Sequence, residues 1–443
     1  MAPKNRIIID TDPGVDDVLA ILLALSASPE DLEVVMLSVT YGNVPLQGCL
    51  RNVVALFHVL EKEMAWRKAN GHASNAFGGL KAFKPIVAIG AEHALEDEIL
   101  MADHFHGSDG LHGVHEAHPD LTPSETWTSL FAAGEAPAPT DALSFSSYFT
   151  PSKTVSHKEI LRILKEEPAD TITIIAIGPL TNMALAAAED PETFLRVKEL
   201  VVMGGAVHLE GNITPVAEFN CYADAVAAAR VYALTSPTPA STMPPAIPGK
   251  TPRLPAYPAK LSRPLNLTLF PLDITTPHLL NKNFFLESIA GPEQAGSPLA
   301  RWCKTFMVGT FNKIDSILGD GSEPGLSLHD PLCVWYMMLR DDPRWTAVPA
   351  PEDLRVETAG QWTRGMHVVD RRQRSKPGDH TEGFAGVSAN AVVLDSEEDD
   401  VNDNVPGDTM GWLSVRKGNR IRRMVGSPGE MAFAEFLVKS LFV

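Results

Sequence analysis

Four carboxylates fall within eight residues near the start of the chain, in Asp10-Thr11-Asp12-Pro13-Gly14-Val15-Asp16-Asp17. Acids packed this closely repel one another unless a proton or a cation comes between them. Oxygen-only donors favour a hard ion, calcium or magnesium, over zinc. A solvated acidic turn that merely caps a helix is the plainer explanation. Two features argue against it: Pro13-Gly14 forces a turn, and Asp10 ends an apolar run. A later group, Glu218 and Asn220, lies two residues apart. On a strand these two would face the same side and present two polar groups together.

These residues need elements to hold them. Residues 6–9 read as a strand apolar on both faces, the pattern of a central strand in a parallel sheet. From Asp16 the sequence reads as a helix with acids in its first turn, where they suit the helix dipole. Residues 32–39 form a second strand, and 52–63 the next helix. Strands follow at 85–90, 171–177, 200–203 and 267–271, alternating with helices at 158–167, 182–190 and 224–234. Alternation of this kind predicts a single doubly wound, mostly parallel α/β sheet of the Rossmann-like type. Open sheets of this class take ligands at the carboxyl ends of their strands, where the acidic turn falls.

Three stretches break the alternation: 122–155, 235–264 and 371–410. The first is rich in Pro, Ser, Thr and Ala. The second is proline-rich and reads as a mobile loop; lying over a pocket, it would narrow access. The third runs from basic (Arg371-Arg372-Gln373-Arg374) to acidic (Ser396-Glu397-Glu398-Asp399-Asp400) and reads as disordered. Because the flanks read as one fold, residues 1–443 form one domain carrying three insertions.

Composition narrows the partners. The formal charge is −18, which disfavours nucleic acid backbones and anionic membranes. The cysteines Cys49, Cys221, Cys303 and Cys333 form no CxxC pair, so neither a zinc knuckle nor a disulfide framework is indicated. His104, His106, His112, His115 and His118 match no standard zinc spacing. No window is long and apolar enough for a membrane span, and the N-terminus lacks a signal peptide, so a cytoplasmic protein is expected.

An Asp-x-Asp after a first strand also suggests a haloacid-dehalogenase-type phosphatase. That motif continues with Thr or Val and an apolar residue, whereas Pro13-Gly14-Val15-Asp16-Asp17 follows here. DTDPGVDD instead resembles the signature of the inosine-uridine preferring nucleoside hydrolases. Further family motifs follow in family order. They are Thr40-Tyr41-Gly42-Asn43, His106-Gly107-Ser108-Asp109-Gly110-Leu111 and Ile177-Gly178-Pro179-Leu180-Thr181-Asn182. Met203-Gly204-Gly205 with residues 211–220, and Leu328-His329-Asp330-Pro331, complete the set. Together they span roughly residues 5–370.

The resemblance implies hydrolysis of the N-glycosidic bond of ribonucleosides to ribose and free base, in purine or pyrimidine salvage. It implies Ca2+ as cofactor, held by Asp12, Asp17, Asp330 and the main-chain carbonyl of Ile177. Asp12 would also be the general base on a Ca2+-bound water. Asp16, Asn43, Asn212, Glu218 and Asn220 would hold the ribose, and His106 would line the base pocket. His329 would be the acid that protonates the leaving base, and Asp10 would orient the turn. A homo-oligomer is usual for the family. A nucleoside-binding relative that no longer turns over is the alternative of a different class. Base preference is open, with Phe311 or nearby aromatics in 302–317 expected to stack the base. The late segment 363–370 resembles the family's C-terminal strand, which Trp412 to Arg416 would resume, and 428–442 reads as a final helix.

Overall fold

The computed structural model describes residues 3–72, 77–96, 105–132, 147–245, 254–319, 325–372 and 407–442. A nine-stranded sheet runs through the molecule. Its strands are β1 (Asn5–Thr11), β2 (Leu32–Val39), β3 (Ile86–Ile89), β4 (Thr150–Pro151), β5 (Ile172–Ala176), β6 (Glu199–Met203), β7 (Leu267–Phe270), β8 (Thr346–Ala347) and β9 (Arg422–Gly426). Their order across the sheet is β8-β9-β7-β6-β5-β1-β2-β3-β4. Every pairing is parallel except β8 with β9.

β1 is buried on both faces because its isoleucines divide between two cores. Ile7 and Ile9 join one, and Ile8 joins the other. The period of two sends successive side chains to opposite faces. The first face carries the helices Val15–Ser26, Leu46–Ala69, Pro298–Leu318, His329–Met338 and Glu430–Phe442; the second carries Ser156–Glu166, Thr181–Glu189 and Ala225–Ala233. β1 has β5 on one side and β2 on the other, so the chain reverses its direction of growth across the sheet at β1. That reversal opens a crevice at the carboxyl end of β1.

Several expectations need correction. Trp412–Arg416 is not a strand; the strand that completes the sheet is β9, where Arg422 and Arg423 pair with Thr268 and Leu269. Val368 does lie on a strand, but His367–Val368 pairs only with Arg355–Val356, away from the main sheet. The long helices Lys282–Gln294, Pro298–Leu318 and His329–Met338 were not anticipated. Part of 122–155 is integral to the fold. Trp127, Phe131 and Phe149 enter the first core, and β4 closes the sheet edge.

The described part of 235–264 does not cover the crevice. Arg263 bonds the carbonyl of Leu195 (2.7 Å) and pairs with Asp170 (2.8 Å), residues that precede β6 and β5. The loop therefore lies at the amino ends of the strands. Residues 133–146, 246–253 and 373–406 of the three stretches lie outside the described residues. Among the described residues, no helix is long and apolar enough to cross a membrane.

Candidate active site

Asp10 and Thr11 end β1, and the chain turns through Asp12-Pro13-Gly14 into the helix Val15–Ser26. Asp17 shapes that turn. Its Oδ1 accepts from Thr11 Oγ1 (2.6 Å) and Asp12 N (3.2 Å), and its Oδ2 from Gly14 N (3.1 Å) and Asn43 Nδ2 (2.9 Å). An acid three residues into a helix reaching back to the cap N–H is half of a capping box. Asn43, just beyond β2, ties the two acids together, since its own N–H donates to Asp12 Oδ2 (2.8 Å).

Asp12 Oδ1 is left over: it is buried and has no hydrogen-bond partner among the described residues. It points past Gly178, where a Cβ would stand only 2.6 Å away. A buried carboxylate oxygen without a donor is costly unless something positive reaches it. Asp16, Asp17 and Asp330 each offer an oxygen within 4.8 Å of the others. Asp330 comes from the first turn of His329–Met338, a helix packed on Val15–Ser26. Both helices aim their partial positive ends at the carboxylates.

Those dipoles do not neutralise the group. Burial, followed by repulsion from Asp17, pushes the Asp12 carboxyl well up and that of Asp16 up to about 8. Burial and then Asp16 push Asp330 well up, and burial raises Asp17. Asp12, Asp16, Asp17 and Asp330 form no ion pair with Lys or Arg among the described residues. A divalent cation fits this set: three convergent carboxylates, an unpartnered oxygen of Asp12 beside them, and no Lys or Arg paired with any of the four among the described residues.

A cavity of about 770 Å³ opens over the acids. Its polar wall includes Asp16, Asn43, Ile177, Asn212, Glu218, Asn220, His106, His329 and Asp330. Every residue expected to hold the ribose, together with His106 and His329, thus lies on one cavity. Asp12 and Asp17 sit deeper, 1% and 0% exposed. The carbonyl of Ile177, just past β5, accepts from Asn220 Nδ2 (2.9 Å). Asp10 also keeps a buried oxygen, Oδ2, without a partner among the described residues, but it does not line the cavity. Its Oδ1 accepts from Asn182 Nδ2 (2.8 Å) and from the Ser38 hydroxyl, which anchors the end of β1 to its neighbours.

Glu218 and Asn220 are not on a strand. Glu218 caps the five-residue helix Phe219–Ala223, and its carboxylate accepts from the N–H groups of Gly205 (2.8 Å), Asn220 (2.7 Å) and Cys221 (3.1 Å). Asn212 Oδ1 accepts from Phe219 N (2.9 Å), so the same helix start orders both residues.

Val15 N–H donates to His106 Nδ1 (3.0 Å), which leaves the proton of a neutral ring on Nε2. Burial pushes the pKa of His106 down to about 3. His329 Nδ1 lies 2.7 Å from Thr275 Oγ1, and burial lowers its pKa to about 4. Both imidazoles are neutral at pH 7. Phe311 is not at the cavity; it is fully buried against Phe285. The same helix turns Lys313, Ile314, Ile317 and Leu318 to the cavity instead.

Sequence reasoning missed Asn52. Its amide donates to the carbonyls of Pro13 (2.8 Å) and Asp109 (2.9 Å), pinning the acidic turn to the loop that carries His106. His115 Nε2 lies 2.8 Å from Asn52 Oδ1, which accounts for one of the clustered histidines. Nothing in a single amphipathic helix sequence marks such an asparagine.

Known proteins resemble the chain along most of its length. Residues 7–396 match the family model for inosine-uridine preferring nucleoside hydrolases. The chain is 28% identical to the non-specific ribonucleoside hydrolase RihC of Klebsiella pneumoniae, over 87% of this chain and 92% of that one. It is 29% identical to the pyrimidine-specific ribonucleoside hydrolase RihA of the same species, over 82% and 88%. Its fold matches a purine-preferring ribonucleoside hydrolase from Gardnerella vaginalis with TM-score 0.61 at 19% identity, over 99% and 98% of the two chains. A plant nucleoside hydrolase matches with the same TM-score at 22% identity, over the whole of both chains. With the acidic turn, the late His-Asp pair and the cavity between them in place, the chain belongs to the inosine-uridine preferring nucleoside hydrolase family.

Proposed function

We propose that the enzyme hydrolyses the N-glycosidic bond of ribonucleosides, releasing ribose and base, with calcium as its resident ion. One observation carries the reading. A buried, unpartnered oxygen of Asp12 stands beside the converging acids Asp16, Asp17 and Asp330 at the point where the sheet reverses. Asp12, Asp17, Asp330 and the Ile177 carbonyl would hold the ion. Hard oxygen donors of this kind suit calcium. When bound, the ion supplies positive charge that lowers the pKa of water and offsets the carboxylates.

The chain's own groups do the rest. Asp12 Oδ1 takes the proton of the attacking water, as a base with no other donor to satisfy. Asp16, Asn43, Asn212, Glu218 and Asn220 bind the ribose hydroxyls and set the sugar over the acids. Cleavage passes through an oxocarbenium-like ribosyl cation, and the negative lining favours that charge as it develops. His329 serves the departing base. With its pKa near 4 it stabilises the leaving nitrogen as a neutral hydrogen-bond donor rather than as the acid expected of it, and the base takes up through solvent the proton that the attacking water gives to Asp12. His106 offers its Nε2–H from the opposite loop.

A single domain with three insertions, a homo-oligomeric state and a cytoplasmic role in base salvage complete the reading. Incubating the protein with uridine, cytidine, inosine and adenosine, with and without chelator, tests it. Ribose release that chelation stops and calcium restores is the expected result. Binding of nucleoside without any ribose release would favour the non-catalytic alternative.

A further inference from the structure

Glu218 is held from the front by three backbone N–H groups, and behind that cradle stands a histidine the reaction does not use. His367 comes from the short strand His367–Val368, far along the chain from the ribose motif. It is 1% exposed. Its ring lies flat on Gly205, where a Cβ would meet the imidazole carbon and nitrogens at 2.2 to 2.7 Å. Gly205 has φ +82°, a backbone conformation that glycine adopts without strain. The second glycine of Met203-Gly204-Gly205 therefore makes room for His367 on the side away from the cavity. The N–H of the same Gly205 donates to Glu218 Oε2.

The other end of the cradle meets the same ring. Cys221, whose N–H also donates to Glu218 Oε2, places its Sγ 3.9 Å from His367 Nε2. Tyr232 of the helix Ala225–Ala233 sets its hydroxyl 3.0 Å from that nitrogen. Burial holds the thiol and the phenol well above their ordinary pKa values, so both keep their protons, and burial holds the imidazole neutral, pushed down to about 4. Nε2 of the ring is thus the nitrogen that Tyr232 and Cys221 hold in place.

We propose that His367 is a positioning residue for ribose binding: wedged under Gly205 and tied to Tyr232 and Cys221, it fixes two of the three N–H groups that aim Glu218. The proposal rests on Glu218 contacting ribose, as argued above. A carboxylate accepting from two separate segments keeps its aim only while those segments keep their spacing. The His367 ring spans them.

The test uses the full chain with calcium and the nucleoside it turns over best. His367→Leu should raise KM and the inhibition constant of free ribose together, by about tenfold, with kcat falling less. The calcium concentration for half-maximal activity should stay unchanged, because the acids lie elsewhere. His367→Gln, whose amide can still hydrogen-bond the Tyr232 hydroxyl, should recover most of the loss, and Tyr232→Phe should produce a smaller rise of the same kind. A folded His367→Leu variant with unchanged ribose inhibition overturns the proposal. So does a His367→Gln variant as impaired as the leucine one. Should His367→Leu not fold, Tyr232→Phe decides alone, and an unchanged ribose constant sinks the idea. A wild-type protein that binds ribose but cleaves no nucleoside would defeat the functional reading instead; calorimetric ribose affinity of the same variants would then still test His367.

Discussion

The two ends of β1 treat negative charge in opposite ways. At its start, Arg6 pairs with Glu33 (2.7 Å) and Glu167 (2.6 Å) from the neighbouring β2 and from the loop before β5. Nearby, Arg263 answers Asp170, and Arg340 answers the buried Glu199 (2.6 Å). At its other end, Asp10, Asp12, Asp16 and Asp17 are joined by Asp330, and none of them has a Lys or Arg partner among the described residues. The strand's amino end is finished as a structure. Its carboxyl end is left with charge that only something from outside can balance. Proteins concentrate perturbed carboxylates at sites of chemistry, and here one strand supplies its own control.

The largest effect should come from removing the leftover oxygen. Asp12→Ala is expected to lower kcat/KM by about a thousandfold or more, since it removes the proposed base and a proposed ion ligand together. Ribose release measures it, and a variant retaining a tenth of the rate would break the contrast between the ends. Asp10→Ala should cost only about tenfold, because Asp10 anchors the strand end through Ser38 and Asn182 without facing the cavity. Equal losses for the two would overturn that division.

Chelation should expose the charge directly. Without an ion, Asp16 and Asp10 titrate near 8 and 7, each raised first by burial. A carboxyl with a raised folded pKa stabilises the fold below its ordinary value, and that stabilisation is lost as pH climbs through the folded pKa. The melting temperature of the chelated protein should therefore fall between about pH 5 and pH 8. Calcium should remove most of the fall and raise the melting temperature with its concentration, stabilising the fold by about 2.7 kcal/mol at a hundredfold excess over its Kd. A pH-independent melt in chelator would mean the acids are already compensated. The smallest effect belongs to the other end: Arg6→Leu should cost about 1 kcal/mol or less in denaturant unfolding and leave ribose release alone.

Much of this was readable before the fold was known, and the rest was hidden for physical reasons. The isoleucines of β1, the turn at Pro13-Gly14 and the acids of the first helical turn are local signals, each set by neighbours in sequence. Asp330 and Ile177 were legible only through the family resemblance. Glu218 and Asn220 read as strand positions because a five-residue helix is too short to show a period, and its cap is an acid that also serves Gly205. Phe311 read as a stacking group because the helix Pro298–Leu318 that turns it into the core was not legible. Asn52 and His367 left no signal, since each acts by joining segments that only the tertiary fold brings together.

The converging acids come from opposite ends of the chain: Asp12, Asp16 and Asp17 lie near its beginning and Asp330 three quarters of the way along. During synthesis the first turn leaves the ribosome long before the helix His329–Met338 exists to complete it. Until then its carboxylates have neither the facing acid nor the second helix end. A nascent or truncated chain that stops short of residue 330 would lack the full ion site, so calcium should protect from proteolysis only chains that extend past it.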